Sequence, residues 1–491
     1  MKKTLRLNKI AAAVIAASAV MSAPTHAVNL SDDGLGDVGL VPYYTVRNGI
    51  DTYLSIVNTS PRYVVAVKLR FREGDNSRDA RDFNIFLSPN DVWVAAITMG
   101  EDGETPVVQT NDTSCTAPAL SAAAATMEGM RGVAFTSLAY DGNSDVFGAD
   151  TGSDSIERTQ EGHIEVIEMG VADPNDSDLA SWAVHPDTKC NLIVDAYSTP
   201  DLFNQVYSEP LNVIKVAANI QAITAGASAG LPITMLANFF NPANIEDPDN
   251  PDPIDLMREP FSVEPNLNSA FPPVAMQTTN AGNIEDAFLT GVDAVSSLMM
   301  ATTVINEYAI GGAALAATDW VVNFPTKNFY VDVDEADQVV DGANPFEFYF
   351  QNDLDGDGLS CVTVGYGYFD REENFELGDS DVDFSPKPPG APTSSICQET
   401  QTLSFADESV LGSKNDYGVP LAAGFENGWM ALRFTQAGSI VSLAGNEYLG
   451  LPAVGFSVKV LRNAVVQEGV LRNYTIVTEH AYRREIITPI Q

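Results

Sequence analysis

The stretch that decides the fold is DTYLSIVNTSPRYVVAVKLRFRE, Asp51 to Glu73. It contains two runs rich in β-branched and aromatic residues, and the NTSP segment at 58–61 between them has the composition of a turn. A third run, DFNIFLSPNDVWVAAITM at 82–99, follows a charged loop. Three neighbouring strands joined by short polar turns predict an antiparallel sandwich or jelly-roll-like region.

The second of these runs alternates apolar and basic side chains: Val67, Lys68, Leu69, Arg70, Phe71 and Arg72. Successive side chains of a strand point to opposite faces, so this strand has one apolar face and one cationic face. We interpret the cationic face first as a cross-strand ladder with Asp or Glu of the same sheet. The alternative is a contact surface for an acidic face of a neighbouring copy or for an anionic polysaccharide.

The middle of the chain has a different pattern from its two ends. Segments 211–240 and 292–310 are Ala-rich or carry apolar residues at three- and four-residue spacing, which predicts helix. Residues 242–260 form a Pro/Asp-rich stretch without the apolar residues that a core needs, and this predicts an exposed loop or linker. From Asp319 onward, strand-length runs bounded by Gly, Pro, Asn or Asp return.

We therefore expect a mainly β protein, with antiparallel sandwich or jelly-roll-like regions at both ends and a smaller helical, Ala-rich middle segment. The expected parts are a signal peptide at 1–27, an N-terminal β-sandwich-like region at 28–205, a mixed or helical insert at 206–318 and a C-terminal β region at 319–491. Periodicity leaves open whether the two β regions form one domain or two.

The first 27 residues have the pattern of a signal peptide. A basic beginning precedes an apolar run at 10–20 that is too short to span a bilayer, and residues 25–27 (THA) resemble a cleavage site. We expect a mature chain from Val28 that is exported to the cell surface or the extracellular space, with the periplasm as the alternative. No later run reaches the roughly eighteen apolar residues that predict a transmembrane helix.

The chain is strongly acidic, with 66 Asp and Glu against 26 Lys and Arg and a formal net charge of −40. This charge repels nucleic acid and anionic membrane surfaces, so the composition argues against both as partners. It fits a protein kept soluble in a saline environment, specific cation binding, or self-assembly bridged by divalent ions.

Four cysteines follow the signal peptide: Cys115, Cys190, Cys361 and Cys397. An even number of cysteines in an exported chain predicts disulfides, and four cysteines allow three connectivities. We favour Cys115–Cys190 with Cys361–Cys397, because each bridge then closes a loop within one half of the chain.

The segment NDLDGDGLSC, residues 352–361, has the pattern of half a calcium site. Asp353, Asp355 and Asp357 stand at positions 1, 3 and 5 of a calcium-binding loop. Gly358 stands at the turn position, and Leu359 offers the backbone carbonyl of position 7.

The bidentate Glu that closes such a loop is missing, because Val364 stands at position 12. The remaining ligands would have to come from Asp370, Glu372 or Glu373, after the following strand. The sequence therefore predicts a calcium site used for stability or assembly, and the alternative is a hydrated acidic hairpin tip without an ion.

GASAG at 226–230 matches the G-x-S-x-G pattern, in which Ser228 would be the nucleophile and His480 its base. The alternating βα context that such a nucleophile elbow needs is missing from the sequence. A pair of carboxylates could carry glycosidase chemistry, although no two carboxylates are singled out. The zinc-helix, Walker and dinucleotide signatures are absent from the sequence.

Several phrases carry a resemblance to known proteins: DGLGDVGLVPYYTVRNG at 33–49, VNTS at 57–60, VKLRFREG at 67–74 and ATDWVVNFPTK at 317–327. They resemble a group of exported proteobacterial proteins that have no assigned activity and are often described as cell-surface proteins. The resemblance implies a compartment and a broad role, and it supplies no catalytic residues.

The function expected from the sequence is that of a secreted, acidic cell-surface or extracellular-matrix protein with a structural or interaction role, stabilised by calcium. Its expected partners are further copies of itself or surface polysaccharide. The alternatives are a secreted hydrolase, using Ser228 or a carboxylate pair, and a carbohydrate-binding or adhesive module.

Overall fold

The computed structural model describes residues 27–489 with the exception of 145–148, 151, 200, 223–226, 242–255, 281, 313–314, 334–338, 347–359, 378–394, 407–408, 435–437 and 463–472. For the strands at 331–333 and 339–342 it describes the backbone alone. The fold is mainly β with a few short helices, which confirms the predicted fold class at that level.

The first half of the chain contains short strands and a few helical turns. The strands up to Ala237 are β1 (Asn29–Leu30), β2 (Val38–Thr45), β3 (Asp51–Asn58), β4 (Val64–Glu73), β5 (Asp79–Leu87), β6 (Val92–Met99), β7 (Pro106–Thr110), β8 (Cys115–Ala117), β9 (Arg131–Ala134), β10 (Glu161–Ala172), β11 (Ile214–Ala222), β12 (Ala227–Gly230) and β13 (Thr234–Ala237). The helices are α1 (Asp178–Ser181), α2 (Cys190–Ala196) and 3-10 turns at Arg47–Gly49, Ala122–Ala124 and Ile156–Gln160.

The second half continues in the same way. Its strands are β14 (Val274–Thr279), β15 (Gly282–Ala287), β16 (Met300–Ala301), β17 (Thr303–Ala309), β18 (Ala316–Asn323), β19 (Val331–Val333), β20 (Val339–Gly342), β21 (Val362–Asp370), β22 (Phe375–Leu377), β23 (Ser395–Ile396), β24 (Thr400–Ser404), β25 (Asp416–Gly418), β26 (Asn427–Phe434), β27 (Ser439–Val441), β28 (Glu447–Leu449), β29 (Leu451–Pro452), β30 (Val454–Leu461), β31 (Tyr474–Glu479), β32 (Ala481–Arg483) and β33 (Glu485–Ile487). The helices are α3 (Gly291–Met299) and 3-10 turns at Leu267–Ser269 and Lys327–Phe329.

The N-terminal strands form two antiparallel sheets. One has the order β1-β13-β2-β10-β4-β5-β8, and the other has the order β12-β11-β3-β6-β7-β9. Leu54 and Ile56 of β3 belong to the same buried cluster as Val67 and Leu69 of β4, so the inner faces of the two sheets pack against each other. The stretch at 51–73 therefore supplies one strand to each layer of a sandwich.

The third run predicted from the sequence, at 82–99, contains parts of two strands and not one. Strand β5 ends at Leu87 and pairs with β4, whereas β6 begins at Val92 and pairs with β3 in the other sheet. Between them, Asn90 has a φ of 60°, and the backbone N–H of Ser88 donates to the carboxylate of Asp91 at 3.0 Å. This turn moves the chain from one layer of the sandwich to the other.

The predicted helical, Ala-rich middle segment is wrong over most of its length. Residues 214–222 form strand β11, with Ile214, Val216, Ala218 and Ile220 buried and the residues between them largely exposed. This period of two satisfies a sheet with one buried face, and tertiary pairing with β3 overrides the weak helical spacing. Strands β11, β12 and β13 complete the two N-terminal sheets.

The second segment predicted as helix, 292–310, is a helix only in its first part. Helix α3 ends at Met299, and residues 303–309 form strand β17 between β26 and β32. The β-branched residues Thr303, Val304 and Ile305 favour the strand because their stiff side chains pack well on a pleated surface.

The C-terminal strands form a sheet of the order β22-β21-β26-β17-β32, with β23 on β21, and a sheet of the order β25-β24-β18-β30-β31. A smaller sheet, β27-β28-β33, and the pairs β14-β15, β16-β29 and β19-β20 lie outside them. The N-terminal core cluster extends into this region through Val321, Phe456 and Val458. The two β regions therefore meet in this buried cluster, to which β2, β18 and β30 all contribute side chains.

The predicted exposed loop at 242–260 is described only from residue 256. Leu256 and Met257 are buried, each with 4% of its surface exposed, so this end of the segment packs against the protein. Among the described residues, no helix is long and apolar enough to cross a membrane.

Candidate functional site

The two predicted disulfides are present. Cys115 in β8 is bonded to Cys190 at the start of α2, and Cys361 before β21 is bonded to Cys397 after β23. Each bridge lies within one half of the chain, as the sequence analysis predicted. Disulfides of this kind form and persist in oxidising compartments, so they indicate an extracytoplasmic environment.

Most of the predicted calcium loop lies outside the described residues. Asp353, Asp355, Asp357 and Leu359 fall in the segment 347–359, so the calcium site stays a prediction. The described part begins at Ser360 and Cys361, where the loop joins β21.

Asp370 and Glu372, the further ligands proposed from the sequence, lie at the other end of β21. Asp370 is eight positions after Val362, which is about 26 Å along the strand. The Asp370 carboxylate accepts the backbone N–H groups of Glu372 and Asn374, at 2.9 and 2.8 Å, and the side-chain amide of Asn374. Asp370 therefore closes the turn between β21 and β22, and Glu372 is exposed beside it.

The cationic face of β4 is buried. Lys68 and Arg70 have no exposed surface, and 7% of Arg72 is exposed. Lys68 Nζ lies 2.8 Å from a carboxylate oxygen of Asp82. Arg70 and Arg72 both contact Asp79 on the neighbouring strand β5, at 3.0 and 3.1 Å.

These contacts confirm the cross-strand ladder. Glu165 of β10 lies on the other side, 3.8 and 3.7 Å from Arg70 and Arg72. Burial alone would raise the pKa of Asp79, but the guanidinium groups of Arg70 and Arg72 hold that pKa below its usual value. The alternative interpretation, a contact surface for another molecule, is wrong for these buried side chains.

The segment that follows the Pro/Asp-rich stretch covers this ladder. Lys68 donates to the backbone carbonyls of Glu259, Pro260 and Ser262, and Arg70 donates to those of Val263 and Pro265. Buried charges need such partners, and a chain segment without regular structure can supply several free carbonyls at one place. Residues 258–265 thus cover an internal network of charged side chains.

Ser228 does not have the surroundings of a nucleophile elbow. It lies within the edge strand β12, opposite Gln221 of β11, and its side chain is exposed. A nucleophile elbow requires a sharp turn between a strand and a helix.

His480 is buried, and both of its ring nitrogens are in hydrogen bonds. Nδ1 lies 2.9 Å from the side-chain amide of Asn306, and Nε2 lies 2.9 Å from the carbonyl oxygen of Val321. The amide can only donate and the carbonyl can only accept, so the ring is neutral with its proton on Nε2. Both ring nitrogens are therefore occupied, and burial lowers the pKa of His480 to about 3, which disfavours general-base work by this histidine.

One pair of interacting carboxylates, Asp37 and Glu168, is also internal. Asp37 accepts the backbone N–H groups of Asn212 and Phe239, and Glu168 accepts those of Leu211 and Val213. Burial raises the pKa of Asp37 to about 7 and that of Glu168 to about 8, and each carboxylate is almost fully enclosed. The pair holds two loops onto β2 and β10 and is closed to a substrate.

A shallow groove that the sequence analysis missed crosses the outer face of the sheet β22-β21-β26-β17-β32. Its volume is about 370 Å³. Strand register places Phe369 beside Trp429 on one side and beside Phe375 on the other. The Phe369 and Trp429 rings are stacked with centroids 4.3 Å apart, and the Phe375 ring lies 4.6 Å from that of Phe369.

The floor of this groove consists of small residues. Gly367 of β21 pairs with Ala431 of β26, and a Cβ on Gly367 would lie 2.8 Å from the ring of Phe375. An alanine at this position would therefore push the Phe375 ring away from its present place against the sheet. The groove leaves 38% of Trp429, 47% of Phe375 and 66% of Leu377 exposed.

Two arginines form the other end of the groove. Arg433 of β26 and Arg483 of β32 flank Thr303 of β17, and both are exposed. Within the part of the chain that the structure describes, neither arginine has an acidic partner within ion-pair distance. Arg433 is four positions after Trp429, which is about 13 Å along the strand.

The two central strands of the groove show an alternating pattern in the sequence. Gly365, Gly367 and Phe369 alternate with tyrosines, and Trp429, Ala431 and Arg433 alternate with Met, Leu and Phe. Alternation identifies two strand faces, but it does not show which face is covered or which strands are neighbours.

The described residues contain no group of three or more His, Cys, Asp or Glu side chains in a metal-binding arrangement. The remaining candidates are thus the aromatic and arginine groove and the calcium loop outside the described residues. No protein-family model, curated protein or solved structure matches this chain.

Proposed function

We propose that this chain is an exported surface or matrix protein that acts by binding and not by catalysis. The observation that carries the proposal is the exposed groove with Trp429 and Phe375 at one end and Arg433 and Arg483 at the other. An exposed apolar patch bordered by polar groups is typical of an interaction site, because binding of a partner removes this apolar surface from water and is thereby favoured.

The internal roles of the other candidate groups support a binding function. His480 is held neutral in two hydrogen bonds, Ser228 lies in an edge strand, and the carboxylates of Asp37 and Glu168 are enclosed. The disulfides support a location outside the cytoplasm. The signal peptide proposed at 1–27 would direct the chain to the surface or, as the alternative, to the periplasm.

The calcium loop is part of the same proposal. We assign Asp353, Asp355 and Asp357 to a calcium ion that stabilises the protein or links copies of it. A ligand that binds only the folded protein raises its stability by about 2.7 kcal/mol at a concentration 100 times its Kd.

A calcium titration of the chain from Val28 onward tests this assignment, with melting temperature and sedimentation followed together. We expect calcium to raise one or both, and we expect the effect to vanish in the double variant Asp353→Asn/Asp355→Asn. The matched control is Glu101→Gln/Glu128→Gln, which removes two exposed charges elsewhere. If millimolar calcium changes neither quantity, the calcium assignment is wrong.

The hydrolase alternative has its own test. A fluorophosphonate probe that labels activated serines should leave Ser228 unmodified, and a Ser228→Ala variant serves as the blank. Specific labelling of Ser228 would overturn the non-catalytic function.

A further inference from the structure

The aromatic end of the groove offers the type of surface on which sugar rings pack. Trp429, Phe369 and Phe375 lie next to one another across three strands, so their rings form a continuous apolar surface. Aromatic rings carry a negative face that attracts the positively polarised C–H groups of a pyranose. Parts of Trp429 and Phe375 are open to solvent, so this surface is available to a ligand.

The arginine end offers donors for an acidic group. Guanidinium groups bond carboxylates in a two-pronged geometry, and Arg433 and Arg483 approach Thr303 from two sides. Among the described residues, neither arginine has an acidic side chain within ion-pair distance, so both can bond an acidic ligand. Their placement about 13 Å along the strands from the aromatic row fits a ligand that is extended and carries charge away from its stacked part.

We propose that this groove binds an acidic polysaccharide, with sugar rings packed on Trp429 and Phe375 and a carboxylate of the chain bonded by Arg433 and Arg483. This inference rests on the proposed binding function and names the class of its ligand.

The acidity of the protein sets the direction of the bound chain. The turn at the aromatic end contains Asp370, Glu372 and Glu373 against one cation, Arg371, so its charge is net negative and disfavours a carboxylate there relative to the two arginines. Acidic groups elsewhere on the surface are screened over about 8 Å at physiological salt, whereas a direct arginine contact is much shorter. Local attraction can therefore exceed the general repulsion at moderate ionic strength.

Isothermal titration calorimetry with polygalacturonate tests the proposal. The titration uses the chain from Val28 onward, with EDTA present, at 0.15 M NaCl, where the screening length is about 8 Å. The fully methyl-esterified polymer is the matched ligand, because it keeps the sugar chain and loses the charge. We expect polygalacturonate to bind and the ester to bind at least about tenfold more weakly, a difference of roughly 1.4 kcal/mol.

Variants locate the binding in the groove. Trp429→Ala and Arg433→Gln/Arg483→Gln should each weaken binding of polygalacturonate at least about tenfold. Phe261→Ala and Arg62→Gln change an exposed phenyl ring and an exposed arginine elsewhere, and both should bind as the unaltered protein does. Melting curves show whether each variant is folded. Arg433 and Arg483 are exposed, so Arg433→Gln/Arg483→Gln should stay folded and test the proposal even if Trp429→Ala unfolds.

Absence of binding, equal affinity for acid and ester, or unchanged affinity in the groove variants would overturn the inference. Different results would contradict the proposed binding function: release of new reducing ends from polygalacturonate, or labelling of Ser228, would show that the protein is an enzyme. The two failures are thus distinguishable.

Discussion

Lys68 shows why the type of a residue does not reveal its environment. A basic side chain in a strand of an acidic protein would ordinarily face solvent, yet Lys68 has no exposed surface and lies against Asp82 and three backbone carbonyls. Alternation along β4 correctly separated its two faces. It could not show that residues 258–265, almost two hundred positions later, cover the basic face.

Removal of the Asp82 carboxylate should therefore destabilise the folded protein. In Asp82→Asn the Lys68 ammonium stays buried without its carboxylate, and we expect the free energy of unfolding to fall by on the order of 3 kcal/mol. Asp173→Asn is the matched control, because it breaks the exposed pair with Arg62 and should change stability by less than about 1 kcal/mol. Urea unfolding measures both, and equal effects would contradict the buried-pair interpretation.

His480 gives a prediction for pH. Its pKa is lowered from 6.5 to about 3 in the folded protein, so the unfolded chain binds a proton more readily. The stability linked to neutral His480 is complete above pH 6.5 and is lost as the pH falls toward 3.

The variant His480→Gln should remove this part of the acid sensitivity. Each proton that only the unfolded state binds changes the free energy of unfolding by about 1.4 kcal/mol per pH unit. Below pH 6, the free energy of unfolding of the unaltered protein should therefore fall more steeply than that of His480→Gln, by up to about this slope. His185→Gln, at a partly exposed position, is the control. Parallel pH profiles for the parent and His480→Gln would show that the buried ring does not resist protonation.

At the scale of elements, the disulfides fix two short elements that also contribute buried side chains to the core, Ile193 of α2 and Ile396 of β23. Cys190 attaches the short helix α2 to the edge strand β8, and Cys397 attaches the region of β23 to the start of β21. The bridges close loops of 75 and 36 residues by sequence separation. An isolated helix as short as α2 is unstable in water, so its position depends on such tertiary contacts.

Replacement of either pair by alanine should lower stability substantially. Loop-closure entropy predicts losses of about 4.5 kcal/mol for Cys115–Cys190 and about 4 kcal/mol for Cys361–Cys397. Thermal or urea unfolding of the two double variants measures these losses, and a serine replacement at each position is the control for side-chain size. A loss below about 1 kcal/mol for either pair would show that packing alone holds the element.

At the scale of the whole molecule, the N-terminal and C-terminal β regions both contribute side chains to the same two buried clusters. Tyr43 of β2 contacts Phe456 of β30, with ring centroids 6.3 Å apart, and the side-chain amide of Asn323 donates to the carbonyl of Pro42 at 3.0 Å. Burial of apolar surface common to both regions couples their stabilities. The described residues of the two regions should therefore unfold together.

Fluorine NMR of fluorotryptophan incorporated into the unaltered sequence tests this coupling, because it follows Trp93 and Trp320 separately without removing either side chain. Trp93 reports on the N-terminal sandwich and Trp320 on β18, and we expect both to give the same urea midpoint. Phe456→Ala should lower both midpoints equally, with a loss of about 3 to 5 kcal/mol. Two separate midpoints, or a shift in the Trp320 signal alone, would show that the regions unfold independently.

The local sequence by itself determined the mainly β class, the strands of the stretch at 51–73 and the two faces of β4, whereas it left three possible pairings of the four cysteines. These features follow from residue type, period and chain order, which act over a few neighbouring positions. Tertiary structure alone decided that Ile214–Ala222 is a strand, that the charges of β4 are internal, and that Trp429 and Arg433 line an open groove. Each of these depends on which distant segment supplies the neighbouring surface, because pairing and burial join residues far apart in the chain.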